Sequence, residues 1–311
     1  MITVGTNSFG YNQERNYSGL PFRNVKFEKV HDIYKIPSYL SYKLFNKVVN
    51  RLVNRFDDFR LNKVNLYHFF NTISPIKKPW LVTFETSVPR LEPNFLNGYK
   101  WLCGPYCIRL IAISKRAFDA QCFQLERFPQ FREHILSKME ILTPSQELNT
   151  TTVERRARRS ELVVTFVGRA FLRKGGWEML KAFSQISNKK HIRLNIVSGL
   201  EIEGFMDEHV TPNIINEVKR LIRNDSCITY FEKLKNAGVM ELFKHSDIAI
   251  LPSYAETYGY SLLEAMSCGC AVIAADISPF SEFVSDEWGW LLKVPVQYEN
   301  GIARPRRTSE N

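Results

Sequence analysis

The second half of the chain alternates short apolar runs with amphipathic stretches, and that rhythm constrains the fold more than any other feature. Residues 162–167 (Leu-Val-Val-Thr-Phe-Val) form an almost unbroken apolar run closed by Gly168, the pattern of a strand buried on both faces that opens into a loop. A helix from about Trp177 then places Met179, Leu180, Phe183 and Ile186 on one face. Strands at 192–198, 228–231 and 247–251 alternate with helices near 214–222 and 239–243. After Pro252-Ser253 a loop leads to a helix near 260–267, Gly269 stops it, and a strand follows at 271–275. This order predicts an α/β domain with a parallel sheet covered on both faces and ligands at the carboxyl ends of its strands.

The first half is less regular. Residues 64–70, 79–84, 110–114 and 139–142 read as short buried strands, with a helix over 118–128, which predicts a second α/β domain. A polar stretch over 143–160 reads as the linker. The expected division is therefore a domain over 1–150, a domain over 151–297 and a disordered tail over 298–311. A length of 311 residues with 44% hydrophobic side chains agrees with two folded domains, and excludes a disordered chain, a collagen or a small disulfide scaffold. The six cysteines include a C-x3-C and a C-x-C but no paired CxxC motifs, and read as reduced thiols. No basic leader opens the chain and no run of ~18 apolar residues occurs, so a cytoplasmic protein is expected.

The net charge of +10 is uneven: residues 1–150 carry 21 basic and 12 acidic side chains, residues 151–311 carry 21 and 20. An excess of this kind predicts an anionic partner for the first half. Nucleic acid is not expected, because the basic residues lack an RNA-binding aromatic signature or a zinc-finger spacing. Residues 38–56 read as one amphipathic helix, with Leu40, Leu44, Phe45, Val48, Val49, Leu52, Val53 and Phe56 on one side. Lys43, Lys47, Arg51 and Arg55 fall on another face. Such a helix can pack on its own domain with a solvated basic face, or make peripheral contact with the anionic inner face of the cell membrane.

Two constellations carry the chemistry. Glu256 and Glu264 bracket the start of the helix over 260–267, where the backbone N–H groups around Gly259 and Tyr260 can hold a phosphate. One carboxylate can then accept from a ribose and the other from a sugar; the alternative is that both acids only favour the helix dipole. Gly168-Arg169-Ala170-Phe171-Leu172-Arg173-Lys174-Gly175-Gly176 opens another strand-to-helix junction on the same expected sheet edge. Arg169 and Lys174 bring two cations toward one point, where they can neutralise a departing diphosphate without a metal. A solvated basic loop is the alternative reading.

Gly-Arg-x4-Lys-Gly followed about eighty residues later by Pro-Ser-x2-Glu-x7-Glu-Ala-Met-x-Cys-Gly resembles the retaining glycosyltransferases of family 4. Those enzymes have the GT-B fold, two Rossmann-like domains facing across a cleft. The matching text is VGRAFLRKGGWEMLKAF and LPSYAETYGYSLLEAMSCGCAVIAA, and the correspondence runs from about Leu162 to Leu292. The resemblance implies that Arg169 and Lys174 bind the diphosphate of a nucleotide-sugar donor, that Glu256 contacts the donor sugar, and that Glu264 binds the ribose. It also implies that no metal is needed, and Asp57-Asp58 lacks the setting of a metal-binding Asp-x-Asp.

In the first half, residues 65–71 resemble the family's strand that often ends in His, and residues 80–85 the strand whose end lines the acceptor side. Glu85 stands where members often carry His. His68, Glu85 and Ser114 are thus acceptor-side candidates, with Glu85 orienting the acceptor hydroxyl or stabilising positive charge on the donor sugar. A core histidine and a structural carboxylate are the alternatives. The family's Gly-rich loop after the first strand is not recognisable around Gly5 and Gly10, and the chain stops soon after 288–292, where members continue. The resemblance is therefore to a member with a divergent first domain and a short C-terminus.

The implied function is hexosyl transfer with retention, from a nucleotide diphosphate sugar to a hydroxyl of an anionic glycan or lipid-linked acceptor. Synthesis of cell-envelope polysaccharide or lipopolysaccharide is the expected setting. Two other functions fit the same residues: a non-catalytic GT-B-like partner or membrane-associated scaffold, and a nucleotide-sugar epimerase of this fold.

Overall fold

The computed structural model describes residues 1–46, 49–59, 61–91, 95–149, 160–201, 212–294, 296–299 and 302–305. The chain divides into two compact units, chiefly Met1–Ser145 and Gln146–Glu299.

The first unit is a parallel sheet of six strands: β1 (Ile2–Thr6), β2 (Val25–Lys29), β3 (Leu66–Phe70), β4 (Trp80–Phe84), β5 (Cys107–Ala112) and β6 (Met139–Ile141), in the order β2-β1-β3-β4-β5-β6. Its helices are α1 (Tyr11–Gln13), which continues as a wider turn over Glu14–Ser18, then α2 (Lys35–Phe45), α3 (Asn50–Val53), α4 (Asn97–Cys103), α5 (Lys115–Glu126) and α6 (Pro129–Leu136). The core forms where Phe56, Tyr67, Phe69, Trp80, Val82, Phe84 and Leu110 are all nearly or fully removed from solvent. Burial of such large apolar side chains contributes about 1.5–3 kcal/mol each. Tyr67 keeps its hydroxyl satisfied there by donating to Asp58 at 2.5 Å.

Two expectations for this half are corrected. No strand is read from the sequence before residue 64, yet Gly5 sits inside β1, where a Cβ would stand 2.7 Å from Val30 and 2.9 Å from Tyr67, so only glycine lets these neighbours close in. Gly10 follows at the entry to α1, the topological place of the loop that the sequence did not reveal. The single helix over 38–56 is also replaced by two. α2 ends at Phe45, and Asn46 adopts φ 47°, a left-handed stop that Asn tolerates. Phe56 has left the helix and is fully buried, whereas Leu40, Leu44 and Val53 are exposed. Arg55 stacks over the rings of Tyr34 and Trp101, each at 4.9 Å, rather than joining a basic face. Lys47 and Val48 lie outside the described residues.

The second unit is a parallel sheet of β7 (Leu162–Val167), β8 (Ile192–Val197), β9 (Ile228–Phe231), β10 (Ile248–Leu251), β11 (Ala271–Ala275) and β12 (Gly289–Leu292), in the order β12-β11-β10-β7-β8-β9. Its helices are α7 (Gly176–Ser184), α8 (Pro212–Asn224), α9 (Asn236–Lys244) and α10 (Tyr260–Ser267). Phe166, Phe171, Leu180, Leu194, Ile196 and Leu262 are fully or almost fully buried between sheet and helices. The chain adds β8 and β9 on one side of β7 and then crosses to β10 on the other. That crossing makes the carboxyl ends of β7 and β10 the switch point of the sheet, where open α/β sheets bind ligands.

Asn149, in the stretch read as linker, is tied to Ser267 by a backbone bond of 2.9 Å and a side-chain bond of 3.0 Å; residues 150–159 lie outside the described residues. Where a disordered tail was expected from 298, β13 (Val296–Glu299) pairs with β14 (Ile302–Pro305), and the expectation for 306–311 falls outside the described residues.

Candidate functional site

The loop after β7 enters α7 and the loop after β10 enters α10, and the two are stitched together. Tyr254 donates its N–H to the Arg173 carbonyl at 3.0 Å, Ser253 Oγ donates to the same oxygen at 3.3 Å, and Arg173 Nη1 donates to the Ala255 carbonyl at 2.8 Å. Gly175 permits this approach: its φ is 74°, and a Cβ there would lie 2.1 Å from the Pro252 carbonyl oxygen. Gly259 has φ 88°, with a Cβ position 2.3 Å from Phe280. Both glycines stand at helix N-caps, and neither α7 nor α10 has a side-chain capping bond. α10 also has no acidic residue in its first turn, so no carboxylate there answers the positive end of its dipole.

This stitching brings Lys174 and Glu256 together as an ion pair, with only 16% and 6% of their side chains exposed. Glu264 is buried on α10, where its Oε1 accepts from Asn236 Nδ2 at 2.5 Å. Arg169 has a different carboxylate partner from Lys174. Its side chain is 75% exposed and its Nε lies 3.0 Å from Glu201. The two cations are thus held by separate carboxylates. Sequence reasoning missed Arg173 as the stitch between the loops, although it lies inside the quoted motif. It also missed Asn236, which no local pattern links to Glu264.

The acceptor-side candidates lie in the middle of β3 (His68) and just past the ends of β4 (Glu85) and β5 (Ser114), each with a different local partner. His68, on β3, stacks on Tyr17 with ring centroids 3.6 Å apart, and its Nε2 is 2.8 Å from Thr83 Oγ1. Burial pushes its pKa down to about 3, which keeps the imidazole neutral. Glu85, one residue past β4, accepts from Arg90 Nη1 and from Asn71 Nδ2, both at 3.1 Å. Ser114 is fully buried and caps α5, its Oγ accepting from the Ala117 N–H at 3.1 Å.

The six cysteines are free thiols, and burial drives that of Cys107 up to about 12. Among the described residues, no group of three or more His, Cys, Asp or Glu side chains is placed to hold a metal ion. No helix among them is long and apolar enough to cross a membrane.

Residues 151–304 match the family described as Glycosyl transferases group 1. A D-inositol 3-phosphate glycosyltransferase of Rhodococcus erythropolis is 29% identical over 120 residues, 38% of this chain and 26% of that protein. The enzyme of the same description from Gordonia bronchialis is 25% identical over 235 residues, 71% of this chain and 48% of that protein. The chain thus spans between 26% and 48% of the length of these two relatives.

Among solved structures, the UDP-forming alpha,alpha-trehalose-phosphate synthase of Burkholderia xenovorans superposes with a TM-score of 0.57 at 11% identity, covering 90% of this chain and 85% of that one. Anabaena HepE, in complex with UDP, superposes at 0.53 with 14% identity, covering 94% and 85%. The two parallel six-stranded units have the GT-B fold of glycosyltransferases. Within it, the second half of the chain carries a glycosyl transferases group 1 domain.

Proposed function

We propose that the protein transfers a hexosyl group, with retention, from a nucleotide diphosphate sugar to a hydroxyl acceptor, without a metal. The observation that carries this reading is the Lys174–Glu256 pair, nearly buried where two glycine-bounded loops meet beside the start of α10. A dry ion pair contributes little net stability compared with an apolar pair of the same size, which favours a role in ligand chemistry.

A diphosphate at the N–H groups near Gly259 and Tyr260 would offer Lys174 a second anion and leave Glu256 able to accept from a sugar hydroxyl. Arg169 supplies a solvent-facing cation, and Glu264 accepts from the ribose. Arg169, Lys174 and the helix N-terminus near Gly259 and Tyr260 take up charge growing on the leaving diphosphate. The inositol phosphate named for the relatives suits the basic first half as an anionic, hydroxylated acceptor, within synthesis of envelope glycan or lipopolysaccharide. The exposed Ile36, Tyr39, Leu40 and Leu44 of α2, with Lys43 among them, favour peripheral contact with the inner membrane face.

Removing one preorganised donor to developing charge costs ~2.7–4 kcal/mol, so Lys174→Ala should lower turnover about 10²- to 10³-fold with a nucleotide-sugar panel. Turnover close to that of the unaltered protein overturns the reading. A non-catalytic partner is favoured by one observation, that His68, Glu85 and Ser114 are each engaged within their own unit. Slow hydrolysis of a nucleotide sugar by the purified chain excludes that role, and formation of an epimeric nucleotide sugar without acceptor would instead mark an epimerase.

A further inference from the structure

The sheet of the second unit ends at β12, which among the described residues pairs only with β11, Trp290 lying beside Ile273 and Leu292 beside Ala275. The Trp288 and Leu292 carbonyls accept from the N–H groups of Val272 at 3.2 Å and Asp276 at 2.8 Å, so they point inward. Backbone groups alternate in direction along a strand, so the carbonyls of Gly289 and Leu291 and the Leu291 N–H point outward, where no described strand meets them. Such an edge is a template for another strand, and proteins commonly blunt it with charge. β2, the edge of the first unit, carries Lys26, Glu28 and Lys29, whereas Gly289-Trp290-Leu291-Leu292 carries no charge.

The side chains of this edge are also unlike an ordinary surface. Gly289 faces the core, since a Cβ there would stand 2.6 Å from Val272 and 2.7 Å from Val284. Trp288 and Trp290 therefore lie on the opposite face, where they remain 45% and 67% exposed. Val272 and Ala274 are buried in one core with Leu262 and Ala265 of α10, but on the tryptophan face Ala271 is exposed and Ile273 only half-buried. Trp288 Nε1 donates to the Phe283 carbonyl at 3.1 Å, which holds that ring in place before any partner arrives. Exposed Asp286 and Glu287 precede the strand and exposed Lys293 follows it, so its two ends carry opposite charge.

We infer that this edge joins two copies of the chain, β12 pairing antiparallel with β12 of a second copy about a two-fold axis at Trp290. That axis sets Trp290 against Trp290, Trp288 against the second copy's Leu292, and Glu287 against the second copy's Lys293, each pair repeated by symmetry. The Leu291 N–H then donates to the second copy's Gly289 carbonyl. The Gly289 N–H is already taken by the Ser285 carbonyl at 2.9 Å, and this register does not need it. Parallel pairing in register would instead set Glu287 against Glu287 and Lys293 against Lys293, which opposes it. The edge stands two strands away from β10, and the inference does not depend on the transferase reading.

Sedimentation equilibrium of the full chain over micromolar concentrations tests this. A concentration-dependent dimer is expected, and Trp290→Ala should weaken it at least about thirtyfold, as for a tryptophan at the centre of an interface. Lys293→Glu and Glu287→Lys should each weaken it about tenfold, because symmetry repeats the repulsion twice. An equimolar mixture of these two variants should recover the affinity of the unaltered chain, since each then meets its opposite charge. Both charge variants alter exposed side chains, so circular dichroism and Tm should match the unaltered chain and separate lost association from lost folding. A chain that stays monomeric throughout overturns the inference, as does a dimer equally stable with Trp290→Ala. A dimer that both charge reversals leave unchanged overturns the antiparallel register.

Discussion

The starts of α5 and α10 are built in opposite ways. Ser114 closes α5 with its own hydroxyl, in the manner of an ordinary helix cap, while α10 begins at a left-handed Gly259 with no side-chain cap. A cap that consumes the end donors stabilises the fold and leaves less for a ligand, whereas glycine leaves the end to backbone groups that can meet an anion. The ion pairs differ in the same sense. Arg90 and Glu85 keep 28% and 23% of their side chains exposed, whereas Lys174 and Glu256 are nearly dry, where paired charge interacts strongly and is costly to break. Predicted site residues in the first unit are occupied in holding that unit together. In the second, Lys174 and Glu256 are paired at a loop junction.

The sharpest way to break this contrast is to remove one charge of the buried pair. Lys174→Met should cost about 3–5 kcal/mol of unfolding free energy in urea, and the double variant Lys174→Met/Glu256→Leu should recover most of it. Equal stability of single and double variants would mean that the pair is not held as a buried charge.

His68 gives the next largest effect. Its folded pKa is depressed to about 3 from 6.5, so the unfolded chain binds the extra proton. Its contribution is therefore complete above about pH 6.5 and is lost at about 1.4 kcal/mol per pH unit as the pH falls toward 3. By pH 5 the loss is about 2 kcal/mol, and His68→Gln should flatten this part of the stability profile.

Ser114→Ala should cost about 1 kcal/mol as a lost cap, seen as a lower Tm, with nucleotide affinity unmoved. A fall in nucleotide affinity would contradict the purely local role of that hydroxyl. Smallest of all is Glu85→Gln, at about 0–1 kcal/mol for a partly exposed pair. A large loss of turnover in this variant, with stability retained, would return Glu85 to the acceptor chemistry.

The legibility of the chain follows its burial. β7, β10 and β11 are covered on both faces and read as apolar runs, so the second unit was visible in the sequence together with Arg169, Lys174, Glu256 and Glu264. β2 is an edge strand whose Val25-Lys26-Phe27-Glu28-Lys29 has no fully buried residue, and β1 hides behind a glycine. The apolar periodicity over 38–56 runs past Asn46 without a sequence signal strong enough to stop it. The left-handed turn at Asn46 and the burial of Phe56 against Tyr67 and Phe69 decide otherwise.

The sequence by itself determined which residues could do chemistry, because residue type and spacing set charge, helix starts and loop ends locally. Only the tertiary structure decided their partners. Lys174 and Glu256 are 82 positions apart and meet because the crossover from β9 to β10 sets two loops side by side. Glu264 and Asn236, 28 apart, meet because α9 and α10 pack together. Contacts at such separation depend on strand order and on backbone approach at Gly175, and neither is encoded in the pattern of any one segment.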